Sequence, residues 1–252
     1  MNMQTTSRDA TKLVVLTPLT QDGALPLPLM VLTVVTGLVD AISFLGLGHV
    51  FTANMTGNVV LLGFAVAGAP GLSIRRSLTS VIAFLLGAIL GGRLAVAMAA
   101  TNRRRWLVTI AVAEAGLLFA AALVSVGIDI GSEAASNSVY GVIILTAVAM
   151  GLRNATVRRV AVPDVNTTVL TLTLTGLAAD SSLAGGSNPR IVRRVASVLL
   201  MLIGAAIGAL LIRFSLPLPL VLSGALALVA AGVFATVLKP SPAADGNGLV
   251  DH

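Results

Sequence analysis

The stretch Gly37 to Gly63, GLVDAISFLGLGHVFTANMTGNVVLLG, decides how this chain is read. It lies in a strongly apolar region yet carries Asp40, His49 and the cluster Asn54, Thr56, Gly57 and Asn58. Polar groups are costly in a bilayer and are rare there without a task. A weaker copy follows at Gly151 to Gly176, GLRNATVRRVAVPDVNTTVLTLTLTG. The rest of the chain reads as scaffolding around these two passages.

On either side of them the composition is that of a membrane protein. Of 252 residues, 56% are hydrophobic and 10% charged, where a soluble domain carries about 25% charged residues. A soluble fold could not cover its surface with so few. No cysteine is present, which removes disulfides, thiol catalysis and Cys-based metal sites. Two histidines, one of them the terminal His252, cannot build a zinc centre. The net charge of +6 comes without a matching set of aromatic residues, and the basic residues fall between apolar runs. That placement fits membrane orientation, not nucleic-acid binding.

The pattern predicts an all-α integral membrane protein. Six apolar segments have the length of about 20 residues that crosses a bilayer core: 27–47, 78–99, 106–127, 138–157, 195–214 and 217–238. Backbone groups in lipid must pair internally, which makes these segments helices. Two further segments, 55–69 and 165–179, are shorter and more polar. Each is either a complete span, giving eight crossings, or a half-helix. With eight crossings and the N-terminus inside, Arg103 to Arg105, Arg158 and Arg159 fall outside the cell. With six, those five join Arg8, Lys12, Arg190, Arg193, Arg194 and Lys239 on the cytoplasmic side. The six-span arrangement follows the positive-inside rule far better. Residues 1–26 read as a polar tail, 27–238 as one transmembrane domain, and 239–252 as a disordered tail. Both termini are expected in the cytoplasm, and the membrane is expected to be the bacterial cytoplasmic one.

The halves 27–127 and 138–238 resemble each other. Gly37-Leu-Val-Asp40-Ala41 matches Gly151-Leu-Arg-Asn154-Ala155, and Gly87/Gly91 matches Gly204/Gly208, each pair following two arginines. Three spans and one short polar segment per half would turn the second copy over, as in the inverted repeats of many secondary transporters. The glycine pairs suit close helix crossings, and small-residue faces also permit a homo-oligomer.

Several polar positions are candidates for a solute or ion site: Asp40, Asn54, Thr56, Gly57, Asn58, Arg153, Asn154, Thr168 and Thr171. An ionised carboxylate at mid-span costs about 2.5–3.5 kcal/mol on insertion scales, so Asp40 is either functional or paired, with Arg153 as the available counter-ion. Glu114, also mid-span, is either a second proton-coupling group or the partner of an arginine on another span. Asn and Thr offer uncharged donors and acceptors, and a helix starting near Thr56 would present free N–H groups to an anion. The same residues could equally hydrogen-bond between helices. His49 reads as a hydrogen-bonded interface residue. No HExxH, GxSxG or Walker-type loop is present, so no enzyme activity and no cofactor are expected.

The motifs themselves resemble those of the YoaK-like family of bacterial multi-pass membrane proteins. They are carried here by Gly37, Asp40 and Ala41; by Phe51, Ala53, Asn54, Thr56, Gly57 and Asn58; by Gly151, Asn154 and Ala155; and by Thr167, Thr168 and Thr171. The chain departs from that pattern at Thr171-Leu172, where relatives tend to have Thr-Gly. That puts two equivalent backbone openings in doubt. The resemblance covers nearly all of 27–238 and implies a fold and a membrane location, with no substrate. The reading that follows is a permease for a small polar solute or ion; the alternative is a membrane assembly partner whose polar cluster fastens helices.

Overall fold

The computed structural model describes residues 26–99, 102–128, 137–160 and 170–238. Both tails lie outside these ranges, as do Asn166, Thr167 and Thr168. Among the described residues are eight α-helices: α1 (Pro26–Gly46), α2 (Met55–Val66), α3 (Ile74–Met98), α4 (Arg103–Val124), α5 (Asn137–Val160), α6 (Leu170–Ala179), α7 (Ile191–Leu211) and α8 (Pro217–Val237). A 3₁₀ turn, Ser182–Ala184, follows α6.

Six of these helices are long and apolar enough to cross a bilayer; α2 and α6 are not. At 1.5 Å per residue α2 is about 18 Å long and α6 about 15 Å, against a hydrocarbon core of roughly 30 Å. The packing confirms that α2 does not cross. The hydroxyl of Ser80, early in α3, donates to the carbonyl of Phe51 at 2.6 Å, and the Arg76 side chain lies over Gly48. The end of α1 and the start of α3 therefore sit at the same end of the bundle. Had α2 crossed, they would lie at opposite ends.

Helix packing follows side-chain size. On α3 the buried positions are Ser77, Ser80, Ala83, Gly87, Gly91 and Ala95, a stripe at three- and four-residue spacing without one large side chain. Its exposed face carries Ile82, Leu85, Leu86, Ile89 and Leu90. In α7 the buried residues are Arg194, Ser197, Gly204 and Gly208, while Leu199, Leu202, Ile203 and Leu210 face outward. Lipid is as apolar as leucine, so large side chains gain little by burial and small ones let helices approach.

These stripes set the architecture. A Cβ on Gly87 would strike the carbonyl of Val148, and one on Gly151 the carbonyl of Phe84. In the same way, Gly204 meets Val34 and Gly37 meets Met201. Thus α3 lies on α5, and α7 on α1, in parallel pairs. Further contacts join α4 to α8, α4 to α5, α1 to α8, α2 to α3 and α6 to α7. Exchanging α1–α4 with α5–α8 leaves this set of pairs unchanged. Because α4 and α5 are antiparallel neighbours, with Gly141 against Val124, the two halves run in opposite directions through the bundle. The small-residue faces read above as open to an oligomer are covered within the chain.

Candidate functional site

The polar passage after α1 forms a hairpin with one irregular limb, bent at Thr52 and Ala53, and one helical limb. Its fastener is Asn58, which is fully buried. The Asn58 Oδ1 accepts the Phe51 N–H at 2.9 Å, and its Nδ2 donates to the Phe51 carbonyl. One side-chain amide thus pairs both backbone groups of a residue outside any helix or strand, as buried amides require. The hairpin tip is Asn54, whose Oδ1 accepts the Gly57 N–H at 3.2 Å and caps α2. After Phe51 the chain bends at Thr52 and Ala53, and Asn54 and Met55 share a cavity wall with Phe84 and Ala88 of α3. The first residue of α2 therefore lies level with the middle of α3, and α2 returns toward the end where α1 finishes.

α6 enters from the other end. Arg194, in the first turn of α7, donates from Nη1 to the Gly176 carbonyl at 2.6 Å and pairs with Asp180 Oδ2 at 2.8 Å. The C-terminal part of α6 is thereby held beside the start of α7, leaving its N-terminal residues toward the middle.

Two cavities meet at the α2 tip. The larger, about 700 Å³, is lined by Asn54, Met55 and Thr56 of the hairpin, Phe84, Ala88 and Gly92 of α3, and Asn154, Ala155, Arg158 and Arg159 of α5, with Ala53. Arg158 and Arg159 belong to the last turn of α5, and Gly92 lies in the C-terminal half of α3, so this cavity reaches toward the end where α3 and α5 finish. The smaller, about 470 Å³, is lined by Phe51, Asn54, Thr56, Gly57, Val60, Leu61 and Thr171. It extends along α2 the other way. Asn54 and Thr56 belong to both.

A separate polar node lies among α1, α4 and α5. Arg153, 2% exposed, donates from Nε to Glu114 Oε1 at 2.9 Å and pairs with the same oxygen through Nη2. Its Nη1 donates to the Leu32 carbonyl at 2.8 Å and to Thr36 Oγ1 at 2.7 Å. Thr36 in turn donates to the Leu32 carbonyl at 3.0 Å. The guanidinium fork joins three helices, as buried arginine pairs do. Asp40 stands one turn beyond Thr36 on α1; it is half-buried, and its Oδ1 has no hydrogen-bond partner.

Of the residues singled out in the sequence, Asn54, Thr56, Gly57, Asn154 and Thr171 line the cavities. Asn58, Arg153, Glu114 and Asp40 do not line either one. The pairing differs from the simplest reading of the sequence, since Arg153 takes Glu114, not Asp40, as its hydrogen-bonded partner. Thr168 lies outside the described residues. Arg158 and Arg159 were read from sequence only as topology signals, and their position in the larger cavity depends on the crossing of α3 and α5. Among the described residues, no group of three or more His, Asp or Glu side chains is placed to hold a metal ion.

A bundle of six long apolar helices with two short helices starting inside it defines a multi-pass transmembrane protein. Within that class, the chain belongs to the family of proteins of unknown function designated DUF1275, whose profile matches residues 28–235. It is similar to UPF0700 transmembrane protein YoaK of Bacillus subtilis (strain 168), with 39% identity over 155 residues. That match covers 61% of this chain and 66% of the relative, just under two thirds of its length. No solved structure matches the chain.

Proposed function

We propose that this protein is a permease of the bacterial cytoplasmic membrane for a small polar solute or ion. One observation carries the reading: two cavities reach toward opposite ends of the bundle and share a single polar wall, Asn54 and Thr56. Helices that start at membrane depth are tolerated where they line a cavity, and such broken elements build the central sites of many transporters. In this reading Asn54, Thr56, Gly57, Asn154 and Thr171 form the path. Asn58 holds the hairpin in shape, and the Arg153–Glu114 pair holds α5 against α4 and α1. Each acid has one buried oxygen without a partner, Asp40 Oδ1 and Glu114 Oε2, but Glu114 is held by Arg153 through its other oxygen, so Asp40 is the coupling group in preference to Glu114. Positive-inside counting places the end carrying Arg103 to Arg105, Arg158, Arg159, Arg193 and Arg194 in the cytoplasm. The larger cavity then opens inward.

The cysteine-free chain allows a direct test. Single cysteines replace Asn154, Thr56 and Val60, with Leu85 on the lipid-facing side of α3 as control. A membrane-impermeant thiol reagent is added to intact cells and to inverted vesicles. Asn154→Cys is expected to react from the inside, Val60→Cys from the outside, and Thr56→Cys from at least one side, with Leu85→Cys unreactive. If none of the three reacts in folded protein, the polar hairpin only fastens helices, and the protein is a membrane assembly partner.

A further inference from the structure

We infer that the larger cavity seats an oxyanion, the carboxylate or phosphate group of a small molecule. The inference rests on the permease reading and names the chemistry of what enters from the cytoplasmic end. At about 700 Å³, the cavity falls within the 300–1,000 Å³ typical of ligand sites.

Among the described residues its charge has one sign: the exposed side chains of Arg158 and Arg159 both line it, and no described carboxylate does. Among the described residues the ion pairs are Arg153 with Glu114 and Arg194 with Asp180, so neither lining arginine is taken up by an acid there. Asp40 and Glu114, the acids within the described long helices α1 and α4, do not line the cavity. Arginine forks match carboxylate and phosphate oxygens in two-point contacts.

The uncharged wall is biased the same way. The Asn54 Oδ1 is occupied by the Gly57 N–H, which leaves its amide Nδ2 as the group able to meet a solute. The Asn58 N–H is bonded to the Asn54 carbonyl at 3.1 Å. The first two N–H groups of α2, on Met55 and Thr56, have no acceptor among the described residues. Both residues line the cavity. The arginines, the Asn54 amide and these N–H groups are all donors, and a cation would find few acceptors among them. The Asn154 amide and the Thr56 hydroxyl can serve either way.

A phospholipid headgroup offers the same chemistry as a free solute, so the test separates the two sources. The reporter is Ala88→Cys, which lines the cavity without belonging to the donor set. The protein is placed in nanodiscs of zwitterionic lipid, and thiol labelling is followed with inorganic phosphate, acetate, choline or glycerol at matched ionic strength. A second set of nanodiscs contains phosphatidylglycerol. Slowed labelling by phosphate or acetate, and not by choline or glycerol, is the expected result. Arg158→Gln and Arg159→Gln are each expected to raise the half-protecting concentration on the order of tenfold, the loss of one charge-assisted bond. Protection by phosphatidylglycerol alone keeps the oxyanion site but assigns it to lipid, which removes the permease reading. Protection by choline or glycerol, or by no anion from either source, overturns the inference and leaves the cavity's access to water standing. An Ala88→Cys that never reacts removes both.

Discussion

At the scale of single residues, charge within this bundle is distributed unequally between two acids. Glu114 is fully enclosed and shares one oxygen with two nitrogens of Arg153, while the buried Oδ1 of Asp40 has no bond at all. Breaking a buried ion pair by removing one partner costs about 3–5 kcal/mol, because the remaining charge is left uncompensated. Glu114→Gln and Arg153→Met should each destabilise the protein by about that amount in reversible unfolding from mixed micelles. The double change Glu114→Leu/Arg153→Met should cost clearly less than the sum. Asp40→Asn breaks no hydrogen bond to its side chain and should shift stability by less than about 1 kcal/mol. Equal losses at Asp40 and Glu114 would show that the two carboxylates share the arginine. The sequence placed Asp40 and Glu114 at mid-span and offered Arg153 as a counter-ion for Asp40. The arginine's partner could not be read there, because helix rotation and packing decide which acid comes within reach.

For the elements, the deciding property is how closely the long helices approach. The Gly204 position has the Val34 backbone where a side chain would stand, whereas Gly232 on α8 has open space around it. Gly204→Val should cost about 3 kcal/mol, at the upper end for overpacking, because the obstacle is backbone and cannot change rotamer. Gly232→Ala should be neutral or gain up to about 1 kcal/mol, since glycine in a helix interior is the poorer residue. Unfolding midpoints of the two variants, measured in the same micelles, give the comparison; similar losses in both would mean that the α1–α7 crossing is looser than described. The glycine pairs themselves were legible from spacing. Their partners were not, since the stripe of α3 meets the α5 helix of the other half and not its neighbour α4 on the same face. The start of α3 at Ile74 was also placed late, at 78. Ser73 caps the helix by accepting the Arg76 N–H at 3.3 Å, a signal hidden behind two arginines that read as loop.

In the whole molecule, two oppositely directed halves interlock, with the first helix of each enclosed by the third helix of the other. α1 and α5 are the most enclosed spans and α3 and α7 the least, so neither half can bury its central helix alone. The arrangement gathers Arg103 to Arg105, Arg158, Arg159, Arg193 and Arg194 at one end of the bundle, proposed above as cytoplasmic, and Arg75, Arg76 and Arg213 at the other. A reporter that is active only in the cytoplasm, fused after residue 238, should be active, and the same reporter inserted between Ala69 and Leu72 should be silent. The reverse result would turn the molecule over and make the larger cavity face outward. Separately expressed halves should not accumulate as folded protein, because their lipid-facing and interior stripes would both be exposed to lipid.

The sequence by itself determined the class of protein and favoured six crossings over eight. Both follow from lengths and charges that act locally: six segments are long enough to span a bilayer, two are not, and the arginines choose between the alternatives. It also marked Asn54, Thr56, Asn154 and Thr171 as residues out of place in lipid. Only the tertiary structure decided what those residues do. It made Asn58 a fastener and Asn54 with Thr56 a shared wall, brought Arg158 and Arg159 into the larger cavity, and gave Arg153 to Glu114. These outcomes depend on contacts between helices far apart in the chain, set by which small-residue stripes meet, and no local pattern of polarity encodes that choice.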